Sequence, residues 1–471
     1  MNNLVKHSGQ VFTPDYIVNL MLDELGYNGP CILKKHCVDN SCGDGAFICE
    51  IVRRYVKAYK QVHNSYDGVQ SEIKEYVHGI ELDIAAFEQC LNNVSSVLSA
   101  FGIQDGVIDL HHANTLCFDE FDGKMDYVVG NPPYVRVHNL NDSFNAVKEY
   151  EFANGGMTDL YLVFFEIGFN MLTKSGKLCY ITPSSWLNSV AGSNLRSYIV
   201  EHHNLLSVID LGHFQPFSAT TYTMISMFQK GICNADFAFY EFNSDQLNAS
   251  YVCNLTFDDI CINGKFYLSD KCTLKTLRQI LLAHPQKLVS VKNGFATLAD
   301  KVFISNSFPF SSLIIPVIKA STGKWLNAFY PYDKNGKSLS KDEIFSDKKI
   351  KDYLENNKNK LLKDTTEAET PHWYLYGRTQ ALKDVYAEKF AINTIIKDVQ
   401  SIKLNKVPCG CGVYSGLYIL TEVPFETILN IILSSEFISY IRILRKYKSG
   451  GYYTFNSKDI EQYLNFKLSI K

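Results

Sequence analysis

Between residue 13 and about residue 242, short apolar runs alternate with helix-patterned stretches, and this alternation restricts the possible folds more than any other feature. Strand candidates are HCVD (36–39), YVHGIE (76–81), GVIDLHH (106–112), MDYVVG (125–130) and KLCYITP (177–183), followed by LLSVIDLG, TYTMISMFQK and ADFAFYEF. Between them lie helical segments such as DLYLVFFEIGFNML, whose Leu160, Phe164, Ile167 and Met171 share one face. Thr13, Pro14 and Asp15 read as N-cap, first-turn proline and early acid for YIVNLMLDELG, with Gly26 as its stop. Strands separated by helices pair in parallel through crossovers. The expected fold class is therefore α/β, a Rossmann-like, doubly wound, mainly parallel sheet. Ligands of such sheets sit at the carboxyl ends of the strands, near the point where strand order reverses.

Three strand ends carry groups suited to a nucleoside. VDNSCGDGAF places Asp39 at the end of one strand, with Gly43 and Gly45 in a tight turn that opens a helix. Glycine allows positive φ and close backbone approach, and the helix amino terminus directs N–H groups at a ligand. Alone, such a turn is an ordinary turn about as often as it is a site. Glu81, in GIELD, ends the next strand, where a carboxylate can accept both ribose hydroxyls. The GxGxxG spacing of a dinucleotide site is missing, so one nucleoside lying across Asp39, Glu81 and the Asn114 region is expected.

A fourth strand end reads MDYVVGNPPYVRV. Pro132 and Pro133 remove two backbone donors and fix two φ angles, so the strand stops there and a rigid element follows it. Asn131 and Tyr134 are the candidates for substrate contact. An isolated Asn-Pro-Pro-Tyr is more often a turn than a site. Its place after a buried strand and two acidic strand ends reverses that expectation.

At 471 residues the chain exceeds one ordinary core, and two domains are expected, 1–242 and 243–471. Beyond residue 242 the pattern becomes irregular, with aromatics and turn residues among Lys and Arg, as in GKWLNAFYPYDKNGK and RKYKSGGYYTF. Residues 1–240 hold 15 Lys and Arg against 26 Asp and Glu, whereas 241–471 hold 31 against 23. A basic second half suggests contact with a polyanion, only slightly ahead of Lys-rich solvated helices such as that at 341–363. Arg445, Lys446 and Lys448, beside SGGYYTF, are the candidates for backbone phosphates. The amino terminus lacks a signal-peptide core and no segment offers 18 uninterrupted apolar residues, so a cytoplasmic protein with no membrane contact is expected. The 13 cysteines show no repeated CxxC pairs, which argues against disulfides and zinc, so no metal is expected. His111 and His112 read as structural.

Taken in order, GQVFTP (9–14), DNSCGDGAF, GIELD, ANTL (113–116), NPPY (131–134) and DLYLVFFEIGFNMLTKSGKLCYITPSSWL (159–187) resemble the motifs of the gamma-class N6-adenine DNA methyltransferases of restriction-modification systems. The resemblance is strong over 1–230 and looser afterwards, where VKNGFATLADKVFI, FYPYD, HWYLYGR and the GGYYTF region are similar to that family's target-recognition domain. It implies a class I methyltransferase domain followed by an α+β recognition domain. The implied cofactor is S-adenosylmethionine and the implied partner is duplex DNA, with a cognate restriction endonuclease as a separate chain and a monomeric enzyme.

Carried over by position, the resemblance has Phe12 and Thr13 covering the methionine end of the cofactor. Asp39, Gly43 and Gly45 line its turn, Glu81 holds the ribose and Asn131 borders it. Asn114 stands where the family usually has Asp, and it keeps a carbonyl acceptor while adding a donor. Asn131 and the Pro132 carbonyl would accept hydrogen bonds from the adenine amino group. Pro133 stiffens that element and Tyr134 stacks on the extruded base. Phe217 and Tyr222, in FSATTYTM, are candidates for its other face and equally candidates for the core. NPPY also occurs in methyltransferases acting on protein glutamine. The alternatives are therefore an enzyme acting on RNA or protein glutamine, or a DNA-binding specificity subunit with a degenerate catalytic domain. No nuclease cluster of the PD...ExK kind is found.

Overall fold

A computed structural model describes residues 13–104, 106–137, 144–154, 158–217, 221–363 and 365–470. The chain forms two compact units, Met1–Thr276 and Leu277–Lys471. Nine strands of the first unit make one sheet in the order β3-β2-β1-β4-β5-β7-β6-β8-β9. They are β1 (Cys37–Asp39), β2 (Val77–Glu81), β3 (Asp109–His112), β4 (Met125–Gly130), β5 (Leu172–Pro183), β6 (Leu205–Asp210), β7 (Thr223–Gln229), β8 (Asp236–Asn243) and β9 (Asn248–Thr256). The pairs β1–β2, β2–β3, β1–β4, β4–β5 and β6–β8 are parallel, while β7 and β9 run antiparallel to their neighbours. The sheet is thus mainly parallel, as the alternation requires. Strand order reverses at β1, which lies between β2 and β4, so the Asp39 and Asn131 strand ends are neighbours at the switch point.

Helices cover both faces, which is why β1 and β2 are buried at every position. Helix α1 spans Asp15–Glu24, α2 Ala46–His63, α3 Val69–Tyr76, α4 Ile84–Ala100 and α5 Leu160–Met171. In α2, Phe47, Ile48, Ile51, Val52, Tyr55, Val56 and Tyr59 recur at three- and four-residue spacing and are buried. Helix α1 begins one residue later than its sequence signal, with Pro14 rather than Thr13 at the N-cap. Gly26 ends it with φ 73°.

The division between units falls at 276/277, beyond the expected 242. The reason is β9, which pairs with β8 from Asp236↔Thr256 to Asn243↔Asn248 and so continues the first sheet. The Asn243 side chain closes the hairpin by accepting from the Asp245 and Gln246 N–H groups at 3.0 and 3.2 Å. Leu255, Phe257, Ile260 and Phe266 are then buried.

The second unit is α+β. One four-stranded antiparallel sheet joins Val289–Asn293, Leu417–Thr421, Lys389–Ile392 and Leu404–Val407. Another joins Ile304–Ser305, Lys324–Phe329, Ile314–Lys319 and Gly412–Tyr414. A small sheet is formed by Ile395–Ile396, Tyr452–Thr454 and Tyr447–Lys448. Phe295, Phe303, Phe329, Tyr330, Tyr332 and Tyr376 form an aromatic core, which accounts for the aromatic texture of this half of the sequence.

Candidate active site

The turn after β1 has the expected conformation. Gly43 and Gly45 take φ of 56° and 92°, and Gly45 is the N-cap of α2. A Cβ on Gly45 would approach Cys90 Sγ to 2.6 Å, whereas one on Gly43 would meet nothing within 4 Å. The backbone is therefore packed on one side and open on the other, as a cradle for a ligand requires. A cleft of about 580 Å³ opens beside this turn, lined among others by Thr13, Asp44, Gly45, Ala46, Arg53 and Asn93. Asp39, Glu81 and Tyr134 do not line it, so it adjoins the candidate site without coinciding with it.

Glu81 does more than end its strand. Its two carboxylate oxygens accept from the Gly43 N–H at 2.8 Å and the Asp83 N–H at 2.7 Å, clamping the glycine turn to the head of α4. The sequence suggests a ribose acceptor; these bonds give it a structural part as well. A carboxylate oxygen can accept more than one hydrogen bond. Glu81→Ala is therefore expected to weaken S-adenosylmethionine binding and also to cost about 1–3 kcal/mol of stability, the scale of part-buried hydrogen bonds to a charged acceptor. Calorimetric titration alongside a thermal melt checks both, and unchanged cofactor affinity in a folded variant would remove Glu81 from the site.

Asp39 is buried at the end of β1, accepting from the Ser41 N–H at 3.0 Å. Burial, reinforced by the Glu81 carboxylate and opposed by the Ser41 bond, pushes its carboxyl up to about 8. The unfolded carboxyl ionises near pH 4, so between there and about pH 8 the folded chain holds the extra proton. Stability contributed by this group is present at low pH and falls as pH rises through that window. Asp39→Asn should flatten the decline in melting temperature between pH 5 and pH 9; a decline as steep as that of the parent protein would contradict the assignment.

The NPPY element stands at the end of β4. A Cβ on Gly130 would come within 2.7 Å of Asp39 Oδ1, so only glycine lets β4 lie this close to the Asp39 carboxyl. Asn131 Nδ2 donates to Thr13 Oγ1 at 3.1 Å, which explains why Thr13 does not cap α1. Ser41 Oγ donates to the Asn131 carbonyl at 3.4 Å. After the prolines, the Val137 N–H donates to the Thr158 carbonyl and the Leu160 N–H to the Val135 carbonyl, at 3.0 and 2.8 Å, fastening the motif to the segment before α5. The Tyr134 hydroxyl donates to the Ile181 carbonyl at 3.1 Å, and the Tyr134 ring meets Tyr161 and Phe217 edge-on, each with centroids 6.3 Å away. Of the two aromatics considered for the other face of a base, Phe217 lies against Tyr134 and Tyr222 packs on His213.

Asn114 caps a short 3-10 turn, its side-chain carbonyl accepting from the Leu116 N–H at 3.1 Å. Asp39, Gly43, Gly45, Glu81, Asn114 and the NPPY residues thus fall at or just beyond neighbouring strand ends, and Thr13, before α1, joins them through Asn131; Phe12 lies outside the described residues. Several supporting residues carry no obvious sequence signal. Asn40, fully buried, accepts from the Tyr180 hydroxyl at 2.9 Å, and its backbone carbonyl accepts from Thr115 Oγ1 at 2.7 Å. Gly130 had a signal in its place directly before Asn131.

His111 and His78 share Asp109 at 2.9 and 2.7 Å, and His78 Nε2 lies 2.9 Å from His36 Nδ1. The His78 and His111 rings pack on Phe121 at the amino-terminal side of the sheet, a structural role. Among the described residues no group of His, Cys, Asp and Glu is arranged to hold a metal, and no helix is long and apolar enough to cross a membrane. In the second unit, Lys446 Nζ lies 2.5 Å from Asp459 Oδ2, so its charge is largely spent within the fold. Arg445 Nη1 donates to the Tyr447 hydroxyl at 3.1 Å, and Lys448 is exposed.

Residues 50–217 match the family model described as the Eco57I restriction-modification methylase. The Type II methyltransferase M.BstVI of Geobacillus stearothermophilus is 28% identical over 222 residues, 44% of this chain and 39% of that protein. The Type II restriction enzyme and methyltransferase RM.Eco57I of Escherichia coli is 22% identical over 467 residues, 78% of this chain and 46% of its own length. The chain thus spans less than half the length of either relative. Among solved structures, the Type IIL restriction-modification enzyme MmeI in complex with DNA shares the fold with a TM-score of 0.64 at 14% identity, over 96% of this chain and 67% of that one. A nuclease-deletion mutant of the Type ISP enzyme LlaGI in complex with a DNA substrate mimic does so with a TM-score of 0.54 at 12% identity, over 98% of this chain and 54% of that one.

Proposed function

We propose that this chain is a site-specific DNA methyltransferase, the modification enzyme of a restriction-modification system, which methylates N6 of an adenine extruded from duplex DNA. The observation that carries the reading is the juxtaposition at the switch point. The glycine turn with its acidic neighbours lies at the end of β1, and the Asn131–Tyr134 element lies at the end of the adjacent β4, with Gly130 against Asp39 and Asn131 tied to Thr13. The match of residues 50–217 to a restriction-modification methylase family supports it.

The residues fit S-adenosylmethionine. The open side of Gly43 and the Glu81 carboxylate suit a nucleoside, and Asp39 and Asn114 flank it. When bound, the cofactor supplies a methyl group on a sulfonium, which departs as a neutral thioether. The adenine amino nitrogen is a poor nucleophile because its lone pair is delocalised into the ring. Asn131 Oδ1 and the Pro132 carbonyl, aimed at its two hydrogens, draw the nitrogen towards tetrahedral geometry and free that pair. Pro132 and Pro133 keep the second acceptor out of any strand ladder. Tyr134, held through its hydroxyl, offers a ring face to the base. In the second unit, Lys448 and Arg445 remain the backbone-phosphate candidates, with Lys446 a weaker one.

Incubation with tritiated S-adenosylmethionine and, separately, duplex DNA, RNA or bulk protein tests the reading. Label entering duplex DNA and recovered as N6-methyladenine is expected. Label only in RNA or protein, or in none of the three, would overturn it.

A further inference from the structure

In the second unit, the segment 377–384 is fastened at three points. The Gly377 N–H donates to the Thr297 carbonyl at 3.0 Å, and a Cβ on Gly377 would strike the Leu298 side chain at 2.4 Å. Gln380 Nε2 donates to the Gly294 carbonyl at 2.6 Å. Gly336, in the turn stapled by Asp333, packs so closely that its Cβ would lie 2.6 Å from the Lys383 nitrogen. Leu298 and Ala381 are held with φ of 59° and 66°, a region that L-residues leave unless the surroundings over-determine it.

The floor beneath is equally fixed. Asp384 accepts from Lys292 Nζ at 2.8 Å and from the buried Tyr418 hydroxyl at 2.6 Å, and the buried Lys389 ammonium donates to the Asp384 carbonyl at 2.7 Å. A cleft of about 500 Å³ lies along this segment, lined by Lys292, Asn293, Asn335, Thr379, Gln380 and Lys383 among others. Lys334, Lys337 and Lys383 are exposed around it.

What this framework presents is Arg378 and Thr379. Both are exposed, and neither side chain has a hydrogen-bond or ion-pair partner among the described residues. Strain and three anchors around a pair of unengaged side chains have no use in stability. They do suit recognition, where a fixed backbone lowers the ordering cost of binding. The guanidinium carries a planar fork of donors that matches the O6 and N7 acceptors of guanine in the major groove, and the surrounding lysines suit the flanking phosphates.

Resting on the methyltransferase reading, the geometry points to Arg378, presented by the fastened segment 377–384, as a specificity-determining residue that reads a guanine edge in the target duplex. The full-length chain is expressed in a host without N6-adenine methylation, and the methylated motif is mapped by sequencing. Binding of the wild type, Arg378→Ala and Arg378→Lys is then measured on a duplex carrying that motif and on a scrambled duplex, over a range of salt. Arg378→Ala should lose about tenfold to a hundredfold in affinity for the motif and nothing for the scrambled duplex. Its methylation should become permissive at one G·C position, and Arg378→Lys, lacking the fork, should not restore the preference. Unaltered melting temperature and S-adenosylmethionine binding confirm that the fold is intact. Equal losses on both duplexes with a shallower salt slope would make Arg378 a phosphate contact and overturn the inference, as would a variant indistinguishable from wild type. A wild-type chain that methylates no DNA would instead sink the methyltransferase reading itself.

Discussion

Asn131→Ala is expected to lower methyl transfer by about 10²–10³-fold, the size of effect seen when one preorganised polar group is taken from a reacting centre. Duplex binding should survive, because the substitution removes an acceptor for the adenine amino group and leaves the second unit untouched. The Thr13 bond sharpens the test. Thr13→Val keeps the shape of the side chain but deletes the oxygen that accepts from Asn131 Nδ2, so the amide loses its anchor while the acceptor remains. Its activity should fall between that of wild type and Asn131→Ala, through kcat rather than through DNA affinity. Single-turnover methylation and a binding titration on the same duplex separate the two. An Asn131→Ala enzyme that turns over at the wild-type rate would take the amide out of the chemistry.

Much of this arrangement is legible in the sequence because it depends on local pattern. The strands around Cys37, Val77 and Met125 appear where alternation places them, since an apolar run between two helices has one stable use in a parallel sheet. The glycine turn and NPPY are legible for a similar reason: their backbone requirements are written in residues that satisfy few other purposes. What the pattern leaves out are partners distant in sequence. Thr13 looks like a cap until register brings Asn131 to it. Glu81 reads as a ribose acceptor alone until the turn after β1 folds against it and gives it a structural part as well. The ion pair of Lys446 with Asp459 of the last helix is likewise invisible in the sequence. The 242 boundary fails because pattern alone cannot say whether a hairpin strand such as β9 joins the sheet before it.

A chain ending at Thr276 should lose more than about 10³-fold in affinity for the target duplex, the usual gap between specific and non-specific binding. The cut belongs there and not at residue 242, since removal of β9 would strip β8 of one of its two partners and confuse misfolding with lost recognition. S-adenosylmethionine binding should persist in the shortened chain, as its candidate residues all lie in the first unit. For the full-length protein, affinity should fall steeply as salt rises, because phosphate contacts release counterions. Titrations at several salt concentrations give the slope. Full binding by the shortened chain, or a flat salt response, would place DNA recognition outside the second unit.

The bond between Thr13 and Asn131 joins positions 118 apart in the chain. Closing a loop of that length carries an entropic cost that local helices do not repay, so contacts of this kind form late. The asparagine amide can be aimed only after the segment before α1 has met the end of β4. Competence for chemistry then depends on a long-range contact and is expected late on the folding route.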